Sequence, residues 1–138
     1  MKRLLLLALL GGLSLTAPAQ TGTDSSVRIH GYQIDLPARP HTLYKGDFDE
    51  YKGSYSLSNG DILTLVQRGR SIYGSVGDGP QKELVAAAKN VFVALDRELK
   101  VTLNKDDWGD YSGELLIVRR DAAQQASVIQ AYTLVASR

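Results

Sequence analysis

Four carboxylates, Asp106, Asp107, Asp110 and Glu114, crowd around Gly109. A hard cation takes several oxygens from just such side chains, so a calcium-type site is the first chemistry to weigh. Counted from Asn104 as an EF-hand loop, Gly109 falls correctly at the sixth place. Trp108, however, occupies a ligand place, and Leu115 stands where the bidentate glutamate belongs. The spacing therefore reads first as a solvated hairpin tip and second as a weak metal site. His30 and His41, the only two histidines, would join these carboxylates around a transition metal only if the fold brought them together.

Nucleophilic catalysis needs a serine on a strained turn, a histidine within reach and an orienting carboxylate. The nearest approach is Gly69-Arg70-Ser71-Ile72-Tyr73. It lacks the second glycine of a nucleophile elbow and reads as a hairpin, so no catalytic residue is assigned and no cofactor is expected. The third grouping is aromatic: Tyr51 and Tyr55 flank Gly53 on one face of a strand pattern, and Tyr73, Tyr111 and Tyr132 fall on other strand patterns. Aromatic rings around a glycine can line a ligand pocket. Tyrosine equally favours strands and packs in small barrels with its hydroxyl at the rim. A ligand site at Tyr51, Gly53, Tyr55, Tyr73, Tyr111 and Tyr132 is thus an expectation set against a plain core.

The elements that must position these residues are strands. Tyr51 to Leu57 alternates cleanly, and Ser58-Asn59-Gly60-Asp61 supplies the positive φ of a tight hairpin, so Ile62 to Gln67 should return antiparallel. Arg68-Gly69-Arg70 turns the chain into Ser71 to Val76. Gly77-Asp78-Gly79-Pro80 then turns it into Gln81 to Val85. Lys82 to Lys89 is made of good helix formers, yet eight residues are few for a stable helix, and the spacing of neighbouring strands favours a strand followed by a loop. Val91 to Ala94, Leu99 to Asn104, Tyr111 to Arg119 and Ser127 to Ala136 complete the series, with Lys105 to Asp110 as a turn and Asp121 to Ala126 as a loop. Eight or nine short antiparallel strands joined by tight turns predict an all-β meander that closes into a small barrel or folds into a two-layer sandwich.

Upstream, Val27 to Leu36 reads as one strand whose phase shifts at Gly31, a place for a bulge. Pro37 and Pro40 bracket a connector, Asp35 to Lys45, that no central strand could contain. The last strand is apolar on both parities, which the Val27 to Leu36 segment could explain by covering it. The expected organisation is a signal peptide over 1–19 and a flexible polar N-terminus over 20–26. The N-terminal strand and connector take 27–47, and the β-domain 48–138.

The signal peptide rests on Lys2-Arg3, the apolar run from Leu4 to Leu10, Gly11-Gly12, and the small residues Ala17 and Ala19 at the −3 and −1 positions. Leu4 to Leu15 is about 12 residues, where a membrane span takes roughly 20, so cleavage and export in soluble form are expected, without a stable anchor afterwards. The chain has no cysteine, so it offers neither lipid attachment nor disulfides, and a core must hold the roughly 119 mature residues together. Removal of Lys2 and Arg3 leaves 14 basic residues against 15 acidic. This near-neutral, scattered charge, with local excess only at Arg68, Arg70 and Arg119-Arg120, gives no footprint for nucleic acid or an anionic membrane.

Gly53-x-Tyr55-x-Leu57-x-Asn59-Gly60, Leu63-Thr64-Leu65, Gly69, Tyr73, Glu83-Leu84-Val85, Phe92 and Gly109 together resemble a known pattern over Phe48 to Val118. It is that of the small lipocalin-like all-β domain of unknown function found C-terminal to β-lactamase-like serine hydrolases and in stand-alone exported bacterial proteins. The resemblance implies a compact antiparallel barrel-like module and transfers no catalytic residue. No hydrolase domain precedes the motif here. The leading expectation is therefore an exported, soluble, non-enzymatic binding or interaction module of unknown specificity, periplasmic or extracellular, with a protein or envelope component as one partner to expect. The alternative is a carrier of a small apolar ligand in a tyrosine-lined barrel, and the third reading is a metal-dependent hydrolase.

Overall fold

The computed structural model describes residues 25–30, 32–44, 46–121 and 126–136. The expected signal peptide and the expected bulge at Gly31 lie outside these residues. Among the described residues, nine strands form one antiparallel sheet: β1 (Ser25–His30), β2 (Gly53–Leu57), β3 (Ile62–Arg68), β4 (Ser71–Val76), β5 (Lys82–Ala88), β6 (Val91–Ala94), β7 (Leu99–Lys105), β8 (Tyr111–Asp121) and β9 (Ala126–Ala136). Strands β2 to β9 follow one another as a meander, and β9 closes the circle by pairing with β2, Tyr55 opposite Ala136 and Leu57 opposite Leu134. The result is an eight-stranded barrel, not a sandwich.

Strand β9 is long enough to serve two neighbours along one edge. Its C-terminal part closes the barrel on β2, while Ala126 to Ala131 pairs with β1. Its other edge pairs with β8 throughout, from Ser112↔Val135 to Asp121↔Ala126. Strand β1 thus extends β9 edge to edge, and the expected strand from Val27 to Leu36 ends at His30. Residues 32–37 carry no strand hydrogen-bonding pattern. They cross the outside of the barrel, where Ile34, Val93 and Val118 form a second apolar cluster with Tyr32, Leu36 and Ile129 packed against it. This outer strap explains why β6 reads Val-Phe-Val-Ala without alternation: Phe92 faces the barrel interior and Val93 the strap, and both are buried.

The interior is filled. Tyr55, Leu57, Leu63, Leu65, Leu84, Phe92, Val101, Leu103, Leu115 and Leu134 contribute one continuous core, as the period-two alternation of each strand requires. Lys82 to Ala88 is a strand with a register shift between Ala86 and Ala88, so neighbouring strands override its helix propensity. Gly113 is the tightest point of the wall. A Cβ there would lie 1.9 Å from the Thr102 carbonyl oxygen, so only glycine lets β7 and β8 approach so closely.

After Pro40 the chain is pinned by the His41 amide donating to the Ala86 carbonyl at 2.7 Å. It then crosses one mouth of the barrel through Thr42, Leu43 and Tyr44 and enters a turn over residues 46–51. That turn is closed by the Tyr51 and Lys52 amides donating to the Phe48 carbonyl at 2.9 and 3.2 Å. Phe48 caps this mouth. Its ring meets Phe92 edge to face with centroids 5.3 Å apart, and Tyr51 meets Phe92 at 5.4 Å.

Candidate functional site

The expected tyrosine group is divided by the fold. Tyr51 and Tyr55 lie in the core, and the partly buried Tyr111 packs edge to face against both, with centroids 5.9 Å apart for Tyr51 and Tyr111 and 6.5 Å for Tyr55 and Tyr111. The Tyr55 hydroxyl donates to the Tyr51 carbonyl at 2.8 Å. Burial, with Glu50, Tyr111 and Asp47 adding to it, pushes the Tyr51 hydroxyl up to about 12, and burial with Tyr111 and Tyr51 pushes Tyr55 up to about 12. Tyr132 is buried in the same core. Tyr73, by contrast, alternates with the inward Ile72 and faces outward, where the Arg68 guanidinium lies 5.7 Å from its ring centroid. Gly53 sits exposed at the start of β2. These rings fill space rather than enclose it.

The carboxylates around Gly109 build a turn. Asp106 accepts from the amides of Trp108 at 2.9 Å and Asp110 at 2.8 Å, and the Gly109 amide donates to the Asp106 carbonyl at 3.1 Å. Glu114 stands on β8 opposite Thr102, away from that tip. Among the described residues no three His, Asp or Glu side chains are arranged to hold a metal ion. Ser71 donates to Glu83 at 2.8 Å on the outer face, and His41 is exposed on the strap.

What the fold does bring together is a concave cleft of about 600 Å³ at the capped mouth. Thr42, Leu43 and Tyr44 of the strap form one wall, Phe48 the floor, and Gln67, Gly69, Arg70 and Ile72 of the β3–β4 hairpin the other wall. Alternation aims Gln67 and Ile72 inward, and they pair across the hairpin. Gly69 takes φ of 62°, the left-handed conformation that lets a tight turn present Arg70 at the rim. Tyr44 lines the cleft and is 77% exposed. Of these residues, the sequence pointed only to Gly69, Arg70 and Ile72, as parts of the rejected nucleophile motif. The available signal was an aperiodic apolar set, Leu43, Tyr44 and Phe48, just after two prolines.

A second cleft, of about 410 Å³, lies at the opposite mouth, with Val76, Leu99 and Ile117 beside Asp61, Lys82, Glu98 and Arg119. Its lysine is already engaged: Lys82 contacts Asp96 and lies 2.9 Å from Glu98. Burial disfavours the charge on Lys82, but the hydrogen bonds and charges of these two carboxylates prevail and raise its pKa.

An eight-stranded antiparallel meander barrel with a filled centre and a strapped mouth defines the class of this protein, and it is consistent with a lipocalin-like fold. No family model matches the chain, and neither a curated protein nor a solved structure shows significant similarity to it.

Proposed function

We propose that the protein is an exported, non-enzymatic binding module that takes a small ligand at the strapped mouth of its barrel, not inside it. The observation that carries this is the contrast between a core packed to the centre and an open cleft of about 600 Å³ at one end. The volume lies within the range of small-molecule sites, which combine an apolar lining with a few polar groups. Leu43, Phe48 and Ile72 provide the former, and Thr42, Gln67 and Arg70 the latter. Export rests on the Lys2 to Ala19 pattern, and N-terminal sequencing of secreted material is expected to begin at Gln20.

The test is a thermal-shift and native mass-spectrometry screen of small apolar and aromatic compounds on the mature protein. Hits should weaken with Tyr44→Ala and persist with Trp108→Ala, since Trp108 is 89% exposed but lies outside the cleft. Absence of any hit, or hits indifferent to Tyr44, would remove the mouth from consideration. A second reading has its own observation: that exposed indole, held out on a turn closed by Asp106, suits docking to a protein or envelope component. It requires a crosslinked partner that is lost with Trp108→Ala.

A further inference from the structure

Resting on the mouth as the binding site, we propose that its ligand is an organic acid: a carboxylate taken by Arg70, with an apolar body laid against Leu43, Tyr44, Phe48 and Ile72.

Among the described residues, the lining of the cleft contains one cation, Arg70, and no carboxylate. The two arginines flanking Gly69 have different fates. Arg68 lies over the Tyr73 ring on the outer face, while Arg70 has no ion pair among the described residues and faces the cleft. In the adjoining groove Asp49 and Lys52 neutralise each other across 2.5 Å. The cap turn carries two further acids: Asp47, whose carboxylate accepts from the Tyr44 amide at 2.8 Å, and Glu50, which accepts from Tyr111 at 3.3 Å and lies 3.6 Å from Lys105.

A guanidinium presents a planar fork of N–H donors that matches a carboxylate with two parallel hydrogen bonds, an arrangement a neutral amide cannot reproduce. Gln67, on the same wall, adds an uncharged amide. The opposite mouth makes the contrast: there Asp61 and Glu98 share the lining with Lys82 and Arg119, so an acid entering it meets carboxylates as well as cations. The apolar floor at Phe48 and Ile72 is fixed by core packing. Specificity for the body of the ligand is accordingly one of size and shape, and specificity for its head one of charge.

The test uses matched pairs that share a body and differ only in the head: 4-phenylbutanoate against 4-phenylbutanamide, and octanoate against octanamide. They are titrated calorimetrically into the mature protein at neutral pH. At least one acid should bind about tenfold more tightly than its amide, and that preference should shrink as salt is raised, because Arg70 is at the rim. Arg70→Gln should abolish the preference by weakening acid binding more than amide binding. Tyr44→Ala should weaken acid and amide by the same factor. Equal binding of acid and amide, or a preference that survives Arg70→Gln, would overturn the acid assignment while leaving the mouth as the site. Binding of neither member of either pair would overturn both.

Discussion

Replacement of Phe48 by alanine is expected to loosen the strap and damage the cleft together, because one ring serves both. Phe48 is 2% exposed and meets Phe92 edge to face at 5.3 Å. Truncating a buried phenylalanine costs about 3–5 kcal/mol through lost transfer energy and the cavity left behind. Here the cost should fall at the lower end, about 3 kcal/mol, because the vacated space opens into a cleft that water already reaches. Part of that sum, about 1 kcal/mol, is the edge-to-face contact with Phe92. Urea unfolding should show a lower midpoint with an unchanged slope. A ligand of the mouth should lose affinity more than tenfold, because the floor and the anchor of Tyr44 go together. Phe48→Leu, which keeps most of the apolar volume, should recover most of the stability. If Phe48→Ala cost under about 1 kcal/mol, the strap would not be held through this ring, and the derivation of the cleft from core packing would collapse.

Two further substitutions and one pH dependence follow from the same packing. Gly113→Ala should destabilise by about 3 kcal/mol or prevent folding, since its Cβ would strike a backbone oxygen at 1.9 Å. Gly74→Ala should cost clearly less, because its nearest contacts at 3.0 and 3.3 Å are the mobile ends of Leu84 and Leu65. Equal effects in chemical denaturation would contradict the close approach of β7 and β8. The buried phenols of Tyr51 and Tyr55, pushed up to about 12 from 10.0, keep their protons in the folded chain while the unfolded chain loses them near pH 10. Their contribution is therefore complete below pH 10 and disappears as pH rises towards 12. Tyr55→Phe should be less stable at neutral pH by about 1 kcal/mol, through loss of its hydrogen bond to Tyr51, yet lose less between pH 10 and 12. Parallel pH profiles for the two proteins would refute this assignment.

The hairpins were legible because their causes are local. Asn59-Gly60 and Gly77-Asp78-Gly79-Pro80 demand turns, and the alternation between them fixes which residues share a face. Strand β5 was legible as far as Val85 against its own helix propensity because the spacing of its neighbours outweighed it, while its continuation to Ala88 across the register shift stands where a loop was expected. What escaped is non-local. Closure depends on Leu57 meeting Leu134, a pairing no short window contains. Alternation separates Tyr73 from Ile72 but does not say which of them faces in; that is decided by pairing with Val66 and Gln67 in β3. The tyrosines drew attention because the same residue type suits a core and a pocket. The cleft was obscured because its strap wall has no period, being extended by Pro37 and Pro40 and held by a backbone bond from His41 to Ala86.

Amide NMR of the mature protein titrated with 4-phenylbutanoate and octanoate addresses the mouth directly. Shifts concentrated at Thr42 to Tyr44 and Gln67 to Ile72, with the interior strands Val101 to Leu103 and Leu115 unmoved, are the predicted result. Shifts centred on Leu99, Ile117 and Arg119 at the opposite mouth, or spread through the barrel interior, would contradict it.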